Sequence, residues 1–252
     1  MAVVRTSDDS EADPSHVHFT TAPTLVGGGG AVDTTTRSII PMLIGDQRAS
    51  GGIVGFLTDD AVEGMTLLDP QTEYAADIIS GATTTDNARL VSAIGNIDDA
   101  TSINALLLDV GGSLAGAGSL EITSGNVLAN DVNATVDLAS LQLAAAEAMV
   151  YTAQDLAVSS NLNAAGDLVK AGDASLALSG ATTVTGEVAV LAGTLLVSGG
   201  TFDADALLVR GTGAAFSPLA GTVAENPATI SQGRRSEERR AGKESRSRWS
   251  PY

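Results

Sequence analysis

Two short patterns alternate along the last third of this chain at a fixed step, and that alternation constrains the fold more than any other feature. One pattern reads Asp155-Leu-Ala-Val-Ser159, Ser175-Leu-Ala-Leu-Ser179 and Thr194-Leu-Leu-Val-Ser198. The other reads Asp167-Leu-Val-Lys170, Glu187-Val-Ala-Val190 and Ala206-Leu-Leu-Val209. The step is the same in both sets, from Leu156 to Leu176 to Leu195 and from Leu168 to Val188 to Leu207. The units alternate over four or five residues and end at glycines such as Gly180, Gly193, Gly199 or Gly211, the pattern of a half-buried strand. Strand-like units that recur at a period of about 20 residues mark a β-solenoid. One coil of short strands cannot bury its own apolar face, whereas stacked coils bury a continuous column and hydrogen-bond edge to edge. The expectation is an all-β chain, a right-handed parallel β-helix of about 20 residues per rung with an irregular N-terminal segment. Leu156, Leu176 and Leu195 should stack in one column, and Leu168, Val188 and Leu207 in a second.

The rest of the chain divides by texture. Residues 1–36 are polar and turn-rich, with Gly27-Gly-Gly-Gly30 and Thr34-Thr-Thr36, and read as a loop or an incomplete edge. Residues 37–86 carry short apolar runs broken by Gly, Pro and Asp, which suits an irregular start of short strands. Residues 87–225 are the solenoid, and the 125 residues from Asn87 to Gly211 amount to about six rungs, or roughly 30 Å of rod. Within them, the Ala-rich stretch from Leu138 to Met149 has good helix propensity and reads either as strand and turn or as a short lateral helix. Residues 212–232 thin out into Gly, Ala, Pro and Thr. Residues 233–252 break abruptly in composition and read as a non-native basic tail. No cap is evident at either end of the repeats, so the expectation is a slice of a longer array, in end-to-end contact with flanking repeats.

Charge and composition narrow the function classes. The chain has 13 basic and 30 acidic residues. Seven of the basic ones and three Glu lie between Arg234 and Arg248, leaving 6 basic against 27 acidic before them, a net of −21. Such a body repels phosphate backbones and anionic lipid surfaces, so nucleic acid is not an expected partner. No apolar run approaches the ~18 residues of a membrane-spanning helix, so membrane insertion by this segment is not expected. There are no cysteines, which removes disulfides and thiolate metal sites. Aromatics are only 3% of residues, so thin layers of small aliphatic side chains must form the core.

The residues from Gly166 to Gly199, Gly166-Asp-Leu-Val-Lys-Ala-Gly-Asp-Ala-Ser-Leu-Ala-Leu-Ser-Gly-Ala-Thr-Thr-Val-Thr-Gly-Glu-Val-Ala-Val-Leu-Ala-Gly-Thr-Leu-Leu-Val-Ser-Gly199, resemble the autotransporter-associated β-strand repeat. Asp173-Ala174 stands where that repeat usually has Gly-Thr, and Val184 where Tyr is common. Pro23 to Gly30, Ser38 to Pro41 and Ala82 to Leu90 are similar to stretches between such repeats in very large bacterial surface proteins. The resemblance implies a right-handed parallel β-helix passenger on an exported protein, located outside the cell or on its surface. It implies a stalk, a fibre or an adhesin, and no catalytic residues. From Ser236 onward the chain resembles translated adapter or vector sequence.

Candidate chemistry is sparse. The pairs Asp8-Asp9, Asp59-Asp60 and Asp98-Asp99, and Asp203 with Asp205, could bind calcium or share acid–base work on a glycoside, but Asp is also an ordinary turn residue. His16 and His18 would share a face of a strand, without a clustered partner. Gly27–Gly30 lacks the Lys-Ser/Thr of a phosphate loop. No catalytic, cofactor-binding or metal-ligating residue is therefore assigned, and no cofactor is expected. The rival to a non-enzymatic stalk is a carbohydrate-active β-helix, a polysaccharide lyase or hydrolase. Lyases of acidic sugars need cations, and the body offers only Arg5, Arg37, Arg48, Arg89, Lys170 and Arg210. Aromatic platforms for sugars are equally scarce. A surface or carbohydrate ligand is the partner class left open.

Overall fold

A computed structural model describes residues 2–5, 17–47, 54–76, 78, 81–94, 97–219 and 230–232. Among them there is no helix: every regular element is a strand. From Asn87 onward the chain winds as a β-solenoid of about six coils with three strands to a coil. The first face is a seven-stranded parallel sheet. It runs Ala93–Ile94, Ser113–Ala115, Ala134–Asp137, Leu156–Val158, Ser175–Leu178, Thr194–Val197 and Ala215–Pro218. The second and third faces form one ten-stranded sheet, because Ala100–Leu108, Ser119–Ala129, Thr182–Val190 and Phe202–Val209 each bend across the corner between them. In the two middle coils the same path is split into Ser140–Leu143 with Glu147–Thr152, and Asn161–Ala164 with Asp167–Ala171.

The period sets the register, and the register builds the core. On the first face Leu156, Leu176, Leu195 and Phe216 are Cα partners in succession. On the third face Ala148, Leu168, Val188, Leu207 and Ile230 follow one another in the same way. A third column, on the second face, runs Leu120, Leu141, Leu162, Thr182, Phe202. The side chains from Leu120 to Phe202 are nearly inaccessible to solvent, as are Leu156 to Leu195 and Ala148 to Leu207. All but Thr182 pack into one apolar cluster that runs the length of the rod. Burying a Leu or Val side chain contributes roughly 1.5–3 kcal/mol. Each coil adds several, which offsets the backbone ordering that a flat array of short strands requires.

The corners are held by two devices. Asp and Asn side chains accept backbone N–H groups from the neighbouring coil: Asp155 from Ser175 (2.8 Å), Asn161 from Ala181 (3.1 Å), Asp167 from Glu187 (2.8 Å) and Asp131 from Gly111 (2.6 Å). The two partners of each bond are one coil apart along the chain. Glycine takes the positions where consecutive turns touch. Gly172 has φ +80°, and a Cβ there would sit 2.2 Å from the Thr152 carbonyl oxygen of the coil before. Only glycine meets both demands.

The Ala-rich stretch at 138–149 is strand, turn and strand. Leu141 and Leu143 pair with Leu120 and Ile122 on one side and with Leu162 and Ala164 on the other. Registered stacking between two coils overrides the local helix propensity of the alanines.

The N-terminal region lies against the solenoid. Ala2–Arg5 pairs in parallel with Leu43–Asp46, which pairs antiparallel with Val54–Asp60, which forms a hairpin with Gly64–Leu67. Ile39, Ile44, Val54, Phe56, Leu68 and Tyr74 pack on Ala105, Leu107, Leu128, Met149, Tyr151 and Ala171, the outward side chains of the third face. The first strand edge is also occupied. Ala75 bridges Ala88 in parallel, and Ile78 is buried within the solenoid core. Ala75 and Ile78 thus cover part of the N-terminal end, where the sequence showed no evident cap. The non-native tail assigned to 233–252, and Asp8, Asp9 and His16, lie outside the described residues.

Candidate functional site

Three of the six cations in the acidic body are tied into the framework, while Arg210 stands exposed just after Phe202–Val209. Arg37 donates from Nη1 to Glu73 Oε1 (2.5 Å) and from Nη2 to Asp60 Oδ2 (3.1 Å). Glu73, 1% exposed, also accepts the backbone N–H groups of Asp33 (3.1 Å) and Asp69 (2.8 Å). The result is a half-buried knot, with Glu73 at its buried centre, joining three segments of the N-terminal layer. Arg89 leaves the outward side of the first third-face strand. It donates from Nε (2.9 Å) and Nη2 (2.6 Å) to Asp109 Oδ2, and from Nη1 to the Pro70 carbonyl (3.0 Å). That last bond ties the layer to the solenoid. Asparagines reinforce the seam: Asn87 Nδ2 donates to Arg37 O (2.7 Å), Asn104 Nδ2 to Asn87 Oδ1 (2.7 Å), and Asn126 Oδ1 accepts Met42 N–H (3.3 Å).

Lys170 is the third. It occupies the inward phase of the third face, between Val150 and Val190, and is fully buried. Its Nζ is surrounded by four backbone carbonyl oxygens: Ala171 (3.1 Å), Gly172 (2.7 Å), Ala174 (2.7 Å) and Ala192 (2.9 Å). From the preceding coil the buried Thr152 hydroxyl donates to Ala174 O (2.9 Å), with Ala171 O at 3.3 Å. Burial pushes the Lys170 ammonium down to about 8, while the negative charges of Asp173 and Asp155 pull it back up. The sequence holds a signal for this group: Lys170 keeps the alternation phase of Val190 and Val209, so a lysine stands where the pattern demands an apolar side chain.

The acidic pairs are dispersed and put to other uses. Asp60 caps the Asp60–Gly64 hairpin turn, accepting the N–H groups of Val62 (2.8 Å) and Glu63 (3.1 Å). Those bonds, with the nearby Arg37 charge, hold its carboxyl below the usual range. Asp98 accepts the Ala117 N–H of the next coil (3.5 Å). Asp203 and Asp205 stand exposed, two residues apart on one strand of the second face. Asp86, which the acidic pairs do not include, is buried beneath the Thr34–Thr36 turn. Burial pushes its carboxyl up, but hydrogen bonds from Thr35 and Thr83 outweigh this and leave it below its ordinary value. Gly27–Gly30 wraps the threonine turn: the N–H groups of Gly28 and Gly30 both donate to Thr36 O (3.1 Å each). His18 lies beside Gly64 at the hairpin. Among the described residues no three His, Asp or Glu side chains converge on a point where a metal ion could sit.

No protein-family model, curated protein or solved structure matches this chain.

Proposed function

We propose that this chain is a non-enzymatic structural segment, part of the stalk or passenger of a large exported bacterial surface protein. The observation that carries the reading is where its polar chemistry goes. Arg37, Arg89 and Lys170 end on carboxylates and carbonyls of the framework. The corner Asp and Asn side chains bridge consecutive coils. Lyase chemistry on an acidic sugar would need such cations turned toward a substrate. In the outward row of the first face that runs Thr135, Ala157, Ala177, Leu196 and Ser217, every side chain but Leu196 is small. Small outward side chains suit a rod that spaces or presents other parts of a protein. The resemblance of residues 166–199 to the autotransporter-associated repeat supplies the cellular setting: export, with neighbouring repeats docking end to end. An adhesin shares this architecture and differs only in what the surface binds.

The direct test labels intact cells that produce the full-length parent. Accessibility of this segment to added protease or antibody before lysis is the expected result; accessibility only after lysis contradicts the surface assignment. The carbohydrate-active reading rests on the exposed pair Asp203 and Asp205. Turnover of an acidic or neutral polysaccharide that disappears in Asp203→Asn would replace the structural reading.

A further inference from the structure

Among the described residues the apolar columns contain one charged side chain, and its surroundings are those of an ion-binding site. A buried ammonium is costly unless hydrogen-bonding partners replace the water it loses. Lys170 Nζ finds four carbonyl oxygens within 2.7–3.1 Å. An ammonium has three N–H groups, so four oxygens exceed directional pairing; they surround the charge as a coordination shell surrounds an ion. Rings of backbone carbonyls that replace a hydration shell are how proteins hold monovalent cations. Three of the oxygens come from the Ala171–Ala174 turn that closes one coil, and the fourth, Ala192, comes from the next coil. Thr152 reaches the same turn from the coil before. The turn can aim its carbonyls inward because Gly172 takes φ +80°.

We propose that this corner is a monovalent-cation site whose resident ligand is the tethered ammonium of Lys170, and that occupancy of the site locks three consecutive coils in register. The ligand class is a singly charged cation of ammonium or potassium size. With the side chain shortened, the same four oxygens face a vacated, desolvated space and accept a free cation of that class.

The absence of cysteine allows a clean test. Lys170→Cys is alkylated in denaturant with bromoethylamine, which installs an ammonium at lysine length, or with bromopropane, which installs a neutral chain of similar size. Both products are refolded and melted. The aminoethylated chain should melt near the parent, and the propylated chain lower by on the order of 10 °C or fail to refold. In parallel, Lys170→Ala is melted at equal ionic strength in ammonium, potassium and tetramethylammonium chloride. Ammonium and potassium should raise its melting temperature saturably over tetramethylammonium, with no such difference in the parent. Equal melting of the two alkylated chains would overturn the proposal, because volume rather than charge would then fill the corner. Failure of the aminoethylated chain to recover, or salt effects alike in Lys170→Ala and the parent, would overturn it too.

Discussion

The third and first faces of the solenoid present two kinds of strand. In the early coils Leu107, Leu128, Met149 and Tyr151 point outward and are as buried as the inward Leu106, Val127 and Val150. The runs Ala105-Leu-Leu-Leu108 and Met149-Val-Tyr151 are apolar on both sides because the N-terminal layer covers them. On the first face, by contrast, Leu156 and Val158 are buried while Ala157 between them is exposed. The same backbone geometry thus carries two sequence grammars, and what lies outside the sheet decides which one is written. A continuous apolar run marks a strand buried on both sides, and an alternating one marks a strand with a wet face.

Truncation separates the two regimes. Leu176→Ala opens a cavity in a first-face column and should cost about 2–5 kcal/mol. Leu128→Ala, at an outward position, should cost a comparable amount, because the layer seals it. Leu196→Ala, outward on the uncovered first face, should cost less than about 1 kcal/mol. Chemical denaturation of the three variants measures this directly. A cheap Leu128→Ala would mean that the layer does not pack as described.

Corners come next in size. Gly172→Ala combines a strained positive φ with a backbone clash and should cost about 3 kcal/mol. The same substitution at Gly29, also at positive φ (+68°) but with nothing within 4 Å of the added methyl, should cost about 1 kcal/mol. Equal costs would show that contact between coils is not what selects glycine at Gly172.

Lys170 links the comparison to pH. Its ammonium is held down to about 8 in the folded chain against an ordinary value near 10.5. Below pH 8 both folded and unfolded chains carry the proton, and the net cost of moving the ammonium from water, which the four carbonyl oxygens offset only in part, is fully present. The neutral amine formed above pH 8 still donates to those oxygens. From pH 8 toward 10.5 the unfolded chain binds more protons, so stability should rise with pH, by roughly 2 kcal/mol at pH 10. Lys170→Met should lack that rise. A parent whose stability runs parallel to Lys170→Met across this window would show that the ammonium is not desolvated.

The smallest effect runs the other way. The Thr182 hydroxyl sits in the second-face column between Leu162 and Phe202, buried without a hydrogen-bond partner. Thr182→Val should stabilise the chain by about 1 kcal/mol. A loss of stability would show that the hydroxyl is satisfied.

These residues also show how far the sequence could be read. The columns through Leu156 and Leu168 were legible because Leu and Val recur there at one steady step. The second-face column was not, since Leu141, Leu162, Thr182 and Phe202 share position but not chemistry. The last first-face strand, Ala215–Pro218, hides in a stretch poor in β-branched residues, and only its pairing with Thr194–Val197 reveals it. The covering layer escaped notice because its contacts, such as Phe56 and Tyr74 with the cluster holding Leu128 and Tyr151, join residues far apart in the chain. Local pattern carries no trace of so long a connection. Of the polar chemistry, the Asp and Asn residues were readable as turn formers, but their bonds to the next coil need the stacking itself.

The central claim, that successive coils stack in register, is open to one direct measurement. Ala157 and Ala177 are outward Cα partners on adjacent first-face strands, and Leu196 is the partner one coil further on. Parallel neighbours lie ~4.8 Å apart, within disulfide range, and strands two coils apart do not. In this cysteine-free chain, mild oxidation should close an intramolecular disulfide in the double variant Ala157→Cys with Ala177→Cys, and leave Ala157→Cys with Leu196→Cys reduced. Efficient closure of the second pair, or none in the first, would contradict the register on which the whole account rests.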